Sequence, residues 1–170
     1  MEDQSLFMLM TERLRFETWK REDKDLLFEL HADPRMQKSY APGPNKWTIQ
    51  AIELRLTGYM EEQANFGFTK WKLCLSDGTF IGRAGWSPWG KATLEIGYAI
   101  KPQFWNNGYA SEAASALLAW GQAHHPHDTL VGFALSNNSA SRRILEKIGM
   151  KFVDYRTIAG VDNAYYELKI

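Results

Sequence analysis

The chain has 170 residues, of which 45% are apolar, 14% aromatic and 24% charged, enough to bury one core without disulfide or metal staples. Its 20 Lys and Arg against 20 Asp and Glu give a formal net charge of +0, whereas nucleic-acid binders carry a basic excess or stripe. The single cysteine, Cys74, the acidic start Met1-Glu2-Asp3 and the lack of a long apolar run speak against an internal disulfide, a secretory signal and a membrane helix, and lead us to expect a soluble, cytoplasmic protein.

Along the chain, Thr11 to Trp19 alternates Leu14, Phe16 and Thr18 with Arg13, Arg15 and Glu17 and predicts a first strand. A helix follows from about Arg21 to Ala32, with Leu26, Leu27 and Leu30 on one side, and Pro34 ends it. Pro42-Gly43-Pro44 marks a loop, and Thr48 is a good N-cap for a second helix reaching about Asn65. The period then changes to two. Trp71, Leu73 and Leu75 alternate with Lys72, Cys74 and Ser76, and Ser76-Asp77-Gly78-Thr79 turns the chain into a partner strand, Phe80 to Trp86. After Ser87-Pro88-Trp89-Gly90, a strand from Ala92 to Ile100 shows Leu94, Ile96, Tyr98 and Ile100 on one face. A helix from about Gly108 to Ala123, a strand Thr129 to Ala134 and a helix from about Ser139 to Ile148 come next, then strands around Lys151 to Ile158 and Asn163 to Lys169. No linker divides residues 1–170, so we expect one α/β (α+β) domain. Its sheet is mixed, with about six to seven strands and about four helices on both faces.

The most informative segment is Trp105-Asn106-Asn107-Gly108-Tyr109-Ala110-Ser111-Glu112-Ala113, between a strand and a strong helix. A helix start leaves about four amides without intrahelical partners and carries about half a positive charge, which a phosphate satisfies. Gly108 lets an anion approach the backbone, and Asn106 and Asn107 tolerate left-handed turn conformations. No lysine follows the glycine, which excludes a P-loop, and no Gly-x-Gly-x-x-Gly repeat is present. A glycine-containing entry turn with no ligand is the alternative.

His124, His125, His127 and Asp128 cluster where a helix ends at Pro126. Histidine is favourable there for electrostatic reasons alone, so we expect no metal site. Cys74 sits within a strand and is not expected to be a nucleophile.

With these segments in view, the chain resembles the GNAT superfamily of acyl-CoA N-acetyltransferases, nearest its RimJ/RimL-like branch. The resemblance runs from Thr11-Glu12-Arg13-Leu14-Arg15 and Asp25 to Pro34, through Ile81-Gly82-Arg83-Ala84-Gly85 and Glu95 to Ile100, to Trp105–Ala113 and Asn138–Met150. Gly108 and Ala110 match the superfamily's diphosphate motif, and Trp105 stands where many members have Gln or Arg.

The resemblance implies acetyl-CoA as cosubstrate. Its pantetheine arm would lie between splayed parallel strands, beside Tyr98, Ala99 and Ile100, and its diphosphate on the amides from Asn106 to Ala110, with Trp105 and Tyr109 alongside. Asn138 would touch the pantetheine and Ser141 the region of the sulfur; both also suit the first turn of a helix.

The implied reaction is direct attack of a primary amine, from a small molecule or a protein N-terminus, on the thioester in a ternary complex. Backbone amides near Tyr98 would act as oxyanion donors. Glu95, on the same side as Gly97 and Ala99 where small residues leave room, is the expected base, unless it is simply a strand glutamate. Leu145 replaces the tyrosine that many members use as acid, leaving Ser141, Tyr155 or water. Two rival readings are a polyamine- or antibiotic-modifying transferase of the same fold and a regulatory module that binds coenzyme A without turnover. Trp47, Trp86, Trp89 and Tyr40 are expected to border the acceptor cleft, or else to pack in the core or a dimer interface. Neither nucleic acid nor membrane is an expected partner, and a monomer and a homodimer both remain open.

Overall fold

The computed structural model describes residues 7–40 and 47–168, apart from the side chains of 39 and 40. The expected loop Pro42-Gly43-Pro44 lies outside the described residues, as does the Tyr40 side chain.

The alternation over Thr11 to Trp19 forms one strand, the shorter β2 (Leu14–Glu17), and the apolar run before it adds a strand, β1 (Phe7–Met10), paired with β2 in a hairpin. The break lies at Thr11, whose hydroxyl accepts from the Leu14 amide at 3.0 Å while its own amide donates to the Leu14 carbonyl at 2.9 Å. One turn of 3-10 helix leads into α1 (Lys24–Ala32). Pro34 ends α1 as expected, but it also opens a further helix, α2 (Pro34–Tyr40). A proline has no amide to leave unsatisfied at a first helical position, and Asp33 just before it accepts from the Arg35 amide. Thr48 caps α3 (Ile49–Phe66) by accepting from the Ala51 amide at 3.1 Å, and Gly67 closes it at φ +77°.

Strands β3 (Lys70–Leu75) and β4 (Phe80–Pro88) flank the expected turn, where Asp77 Oδ1 accepts from the Thr79 amide. Then come β5 (Thr93–Ile100), α4 (Tyr109–His124), β6 (Thr129–Leu135), α5 (Ser139–Lys147), β7 (Lys151–Ile158) and β8 (Val161–Leu168). The eight strands form one sheet in the order β1-β2-β3-β4-β5-β6-β8-β7, antiparallel except for β5 beside β6. Two more elements than expected are therefore present, β1 and α2. The apolar run of β1 has no alternation to betray it.

The strand period decides which side chain meets which helix layer. Leu94, Ile96, Tyr98 and Ile100 of β5 join Trp71, Leu73, Ala113, Leu117 and Leu145 in a core shared with α4 and α5. On the opposite face, Cys74, Phe80 and Ala99 pack with Leu27, Leu30, Ile52, Leu56 and Tyr59 of α1 and α3. Trp86, expected near the acceptor cleft, is wholly buried in the first core, and its indole donates to the Leu117 carbonyl at 3.0 Å.

Gly85 sits where β3 presses against β4; a Cβ there would lie 2.0 Å from the Thr69 carbonyl oxygen. Gly58, inside α3, has nothing within 4 Å of that position. We predict that Gly85→Ala costs about 3 kcal/mol or more, because backbone rather than a flexible side chain must yield. Gly58→Ala should stabilise by about 0.5–1 kcal/mol through helix propensity alone. Chemical-denaturation midpoints of the two variants check both signs.

Candidate active site

Strands β5 and β6 pair over only four positions, from Thr93 with Thr129 to Ile96 with Gly132. Beyond Ile96 they part, because β6 continues on β8 as far as Leu135 with Asn163, while β5 continues on β4 to Gly82 with Ile100. The Lys101 amide donates to the Ile81 carbonyl, so alternate residues, Ala99 among them, turn their backbone groups to β4. Those of Tyr98 and Ile100 turn to the gap. The Ile100 carbonyl accepts from the Trp105 indole at 2.7 Å, tying the end of β5 to the approach to α4.

A cavity of about 370 Å³ occupies this gap. Tyr98, Ile100, Trp105, Asn106, Gly108, Tyr109, Ala110, Asn138 and Ser141 line it, as do Phe104, Ser111, Ala140 and Ile144, which sequence reasoning missed. Ala99 and Asn107 do not line it. The Ala99 side chain is buried toward α1 and α3, and the Asn107 side chain turns back to donate to the carbonyls of Phe104 and Trp105. Of the two asparagines expected to tolerate a left-handed turn, Asn106 adopts it, at φ +62°. Gly108, at φ +79°, is the N-cap of α4 and no side chain caps the helix. The first amides of α4 thus open onto the cavity.

Arg13 steadies this corner, and sequence reasoning did not single it out. Its Nη1 donates to the Asn107 carbonyl at 3.0 Å and its Nε to Glu112 at 2.6 Å. Thr11 also donates to Glu112. Burial alone would raise the Glu112 pKa; the bonds from Thr11 and Arg13 outweigh it and hold the carboxyl below its ordinary range. No local pattern could have shown a clamp between residues almost a hundred positions apart.

A larger cleft of about 780 Å³ lies on the face covered by α3. It shares Tyr98, Asn138 and Ser141 with the smaller cavity, so the two meet there. At the junction the Tyr98 hydroxyl donates to the Ser141 carbonyl at 3.0 Å and accepts from Ser141 Oγ at 3.3 Å. Asn138 serves as N-cap of α5, its Oδ1 accepting from the Ser141 amide at 3.1 Å. The expected Ser141 and Asn138 therefore come together. Tyr155 does not join them: it is 60% exposed on the edge strand β7, against Phe152 and Arg142, and lines neither cavity. Leu145 is buried over Gly132 and offers no hydroxyl.

Glu95 lies on the floor of the larger cleft, 6% exposed. Its Oε2 accepts from Lys70 Nζ at 2.5 Å. The space that Gly97 was expected to leave for a substrate is filled by this lysine, since a Cβ on Gly97 would fall 2.2 Å from Lys70 Cε. Glu62 of α3, another lining residue, accepts from the hydroxyls of Thr69 at 2.7 Å and Ser87 at 3.2 Å. Trp47 and Trp89 both line the cleft. His31 stacks on Trp47 at 4.0 Å, and Arg55 lies over the same indole at 4.9 Å.

Outside the site, His124 Nδ1 donates to the Trp120 carbonyl and His125 pairs with Asp128. No group of three His, Cys, Asp or Glu able to hold a metal occurs among the described residues. Cys74 is buried, and burial pushes its thiol up to about 12, so it is no thiolate at neutral pH. No helix among the described residues is long and apolar enough to cross a membrane.

A family model described as Acetyltransferase (GNAT) domain matches residues 13–151. The Bacillus subtilis (strain 168) protein YkkB, described as uncharacterized, is 29% identical over 151 residues, 85% of each chain. Among solved structures, the acetyltransferase from Agrobacterium tumefaciens str. C58 gives a TM-score of 0.82 at 23% identity, over 95% of this chain and 94% of that one. RimL, a ribosomal L7/L12 alpha-N-protein acetyltransferase in complex with coenzyme A, gives 0.79 at 15% identity, over 95% and 96%. At these identities the two structures establish a shared fold.

One buried residue behind the cleft, His31, which stacks on Trp47, carries a pH signature. Burial, then the charges of Arg83 and Arg55, push the His31 imidazole down from 6.5 to about 2. The unfolded chain therefore takes up the extra proton first. The stability His31 contributes is complete above about pH 6.5 and is lost at up to about 1.4 kcal/mol per unit as pH falls toward 2. We predict that His31→Phe flattens this acid limb, so that the drop in melting temperature between neutral and mildly acidic buffer is smaller than in the parent protein.

Proposed function

The chain belongs to the GNAT acetyltransferase family, and from that premise we propose that it is an acetyl-CoA-dependent N-acetyltransferase acting on a primary amine by direct attack in a ternary complex. The observation that carries this reading is the meeting of two cavities at Tyr98, Asn138 and Ser141, one running to the uncapped start of α4 and the other open beneath α3. That arrangement suits two substrates entering from opposite sides of the sheet. The residues fit coenzyme A: an uncapped helix start for a diphosphate, and a parted strand whose backbone groups lack a neighbouring strand for an amide-bearing arm. RimL's complex with coenzyme A supports the same choice of cosubstrate.

The thioester supplies an activated carbonyl and a thiol of pKa about 8.5 that leaves readily. The protein's part is position and charge. Amides of Tyr98 and its neighbours on the gap side of β5 are the proposed donors to the carbonyl oxygen as it gains charge. The Tyr98–Ser141 hydroxyl pair stands at the junction and is the proposed source of a proton for the departing sulfur, in the place that Leu145 leaves vacant. Glu95 has Lys70 as its partner, so we assign it a positioning role on the floor of the cleft. An α-amine of pKa about 7.7–8.0 has an appreciable neutral fraction at neutral pH with which to attack.

The test is release of coenzyme A thiol on mixing the protein with acetyl-CoA and a panel of amines that includes amino acids, peptides and polyamines. Turnover supports the reading; tight binding of coenzyme A with no turnover on any amine would instead favour a binding module. In the same assay Ala110→Glu should raise the KM for acetyl-CoA about tenfold or more, because its carboxylate competes for the first amides of α4. A glutamate there suits the helix dipole by about 0.3–1 kcal/mol, so the melting temperature should hold or rise. Unchanged KM would remove the diphosphate from this corner.

A further inference from the structure

The sheet ends on β7, where neither helix layer reaches the strand. Every residue from Lys151 to Tyr155 is exposed, on both faces. Tyr155 is 60% exposed, Phe152 44% and Val153 39%. A bulge between Phe152 and Asp154 sets Phe152 opposite Tyr166 and Tyr155 opposite Ala164, so the two rings share one face. They meet there at 5.0 Å, with the Arg142 guanidinium 5.8 Å from the first and 5.6 Å from the second. Large apolar groups on an open strand edge invite another strand, and chains that stay single blunt such edges. The opposite edge is blunted by its length, since β1 has four residues against the eight of β7.

The backbone of this edge is open at alternate residues. The Asp162 carbonyl of β8 accepts from the Ser136 amide, just past the end of β6. Asp162 pairs with Thr157, so Thr157 in turn directs its amide and carbonyl away from β8, and Tyr155 does the same two residues earlier. Among the described residues no strand but β8 pairs with β7. Tyr155 is flanked by opposite charges, Asp154 and Arg156, and Arg156 Nε donates to Asp154 Oδ1 at 2.7 Å. That pair is exposed, contributes little by itself, and leaves both groups able to bond to a neighbour as well.

We propose that β7 pairs antiparallel with β7 of a second copy of this chain, about a two-fold axis at Tyr155, so that the two sheets become one. Charge selects the register. With the axis at Tyr155, Asp154 faces the second copy's Arg156 and Arg156 its Asp154, in the close pairs where cross-strand side chains interact most. An axis at Asp154 or at Arg156 would set like charges face to face, and one at Thr157 would set them against Ile158 and Gly160. At the axis the two Tyr155 residues exchange amide-to-carbonyl bonds, which their outward backbone groups permit. Because both copies use the same patch, the contact closes as a dimer and does not grow into a fibre. The bulge beside Asp154 keeps the ladder short, so dimer and monomer exchange. Thr157 lies one residue from Ile158, which lines the larger cleft with Ala159 and Asn163. The pairing therefore braces one wall of that cleft.

The test is the mass in solution, by sedimentation equilibrium from about 1 to about 300 µM protein. The parent protein should move from monomer toward dimer over this range. Tyr155→Lys, a change at an exposed site, should leave a monomer throughout while circular dichroism shows the fold intact. Asp154→Arg should weaken the dimer about tenfold, because like charges then face each other twice. Adding Arg156→Asp reverses both charges and should restore the parent's dimerisation, which a merely disturbed surface would not do. A parent that stays monomeric, a dimer that survives Tyr155→Lys, or a double variant no tighter than the single one would each overturn the proposal. The transferase reading is untouched by any of these results, since thiol release tests it separately.

Discussion

The parting of β5 from β6 after Ile96 and Gly132 is the constraint on which the site depends. A parallel pair that stayed in register would satisfy its own backbone groups and seal the sheet. Here β6 is claimed by β8 as far as Leu135 and β5 by β4 as far as Ile100, so the two cannot remain neighbours. Backbone groups left unpaired in a buried gap are unfavourable by about 1–3 kcal/mol each, and an extended ligand carrying its own amides can take the place of the missing strand. The edge that would be a liability elsewhere becomes the binding surface. Trp105 and the Tyr98–Ser141 pair brace its two sides, one from the loop before α4 and one from α5.

Charge is handled differently on the two sides of the sheet. At the start of α4 an acid, Glu112, lies close to where an anion is proposed to bind, which in isolation would repel it. Thr11 and Arg13 engage that acid from a hairpin remote in sequence, and Arg13 also reaches the Asn107 carbonyl. The corner is thereby rigid and locally neutral before any ligand arrives. Across the sheet, Lys70 lies flat over Gly97 to reach Glu95. A buried pair of this kind contributes little net stability, because desolvation offsets attraction, but it fixes the floor of the cleft.

Much of this was legible in the sequence wherever one local rule applied. Alternation gave the faces of β3 and β5; Thr48 and Gly78 marked a cap and a turn; Gly108 with Asn106 marked the entry to α4. The same local rules failed where a residue has two partners. Pro34 stops one helix and starts another. Four apolar residues with no polar partner between them hid β1. Gly97 looks like open space in a strand pattern, and only the three-dimensional path of Lys70 shows that space to be filled. Tyr155 has the right chemistry for an acid, but it lies on the sheet-edge strand β7, exposed beside Phe152 and Arg142 and away from both cavities. The hydroxyl partner of Ser141 is on Tyr98, a residue whose backbone alone drew attention.

The fate of Leu145 shows why that hydroxyl pair matters. Gly132 lacks a side chain, and Leu145 Cδ2 lies 2.7 Å from where its Cβ would be. Leu145 is thus wedged between β6 and α5 as core packing, alongside Ile96 and Met150, and holds the helix close to the gap. Drawing α5 in brings the Ser141 carbonyl and hydroxyl within reach of Tyr98 on the far strand. An aliphatic residue at this position of α5 offers no hydroxyl itself but, through the packing it allows, helps to set the Tyr98–Ser141 pair in place.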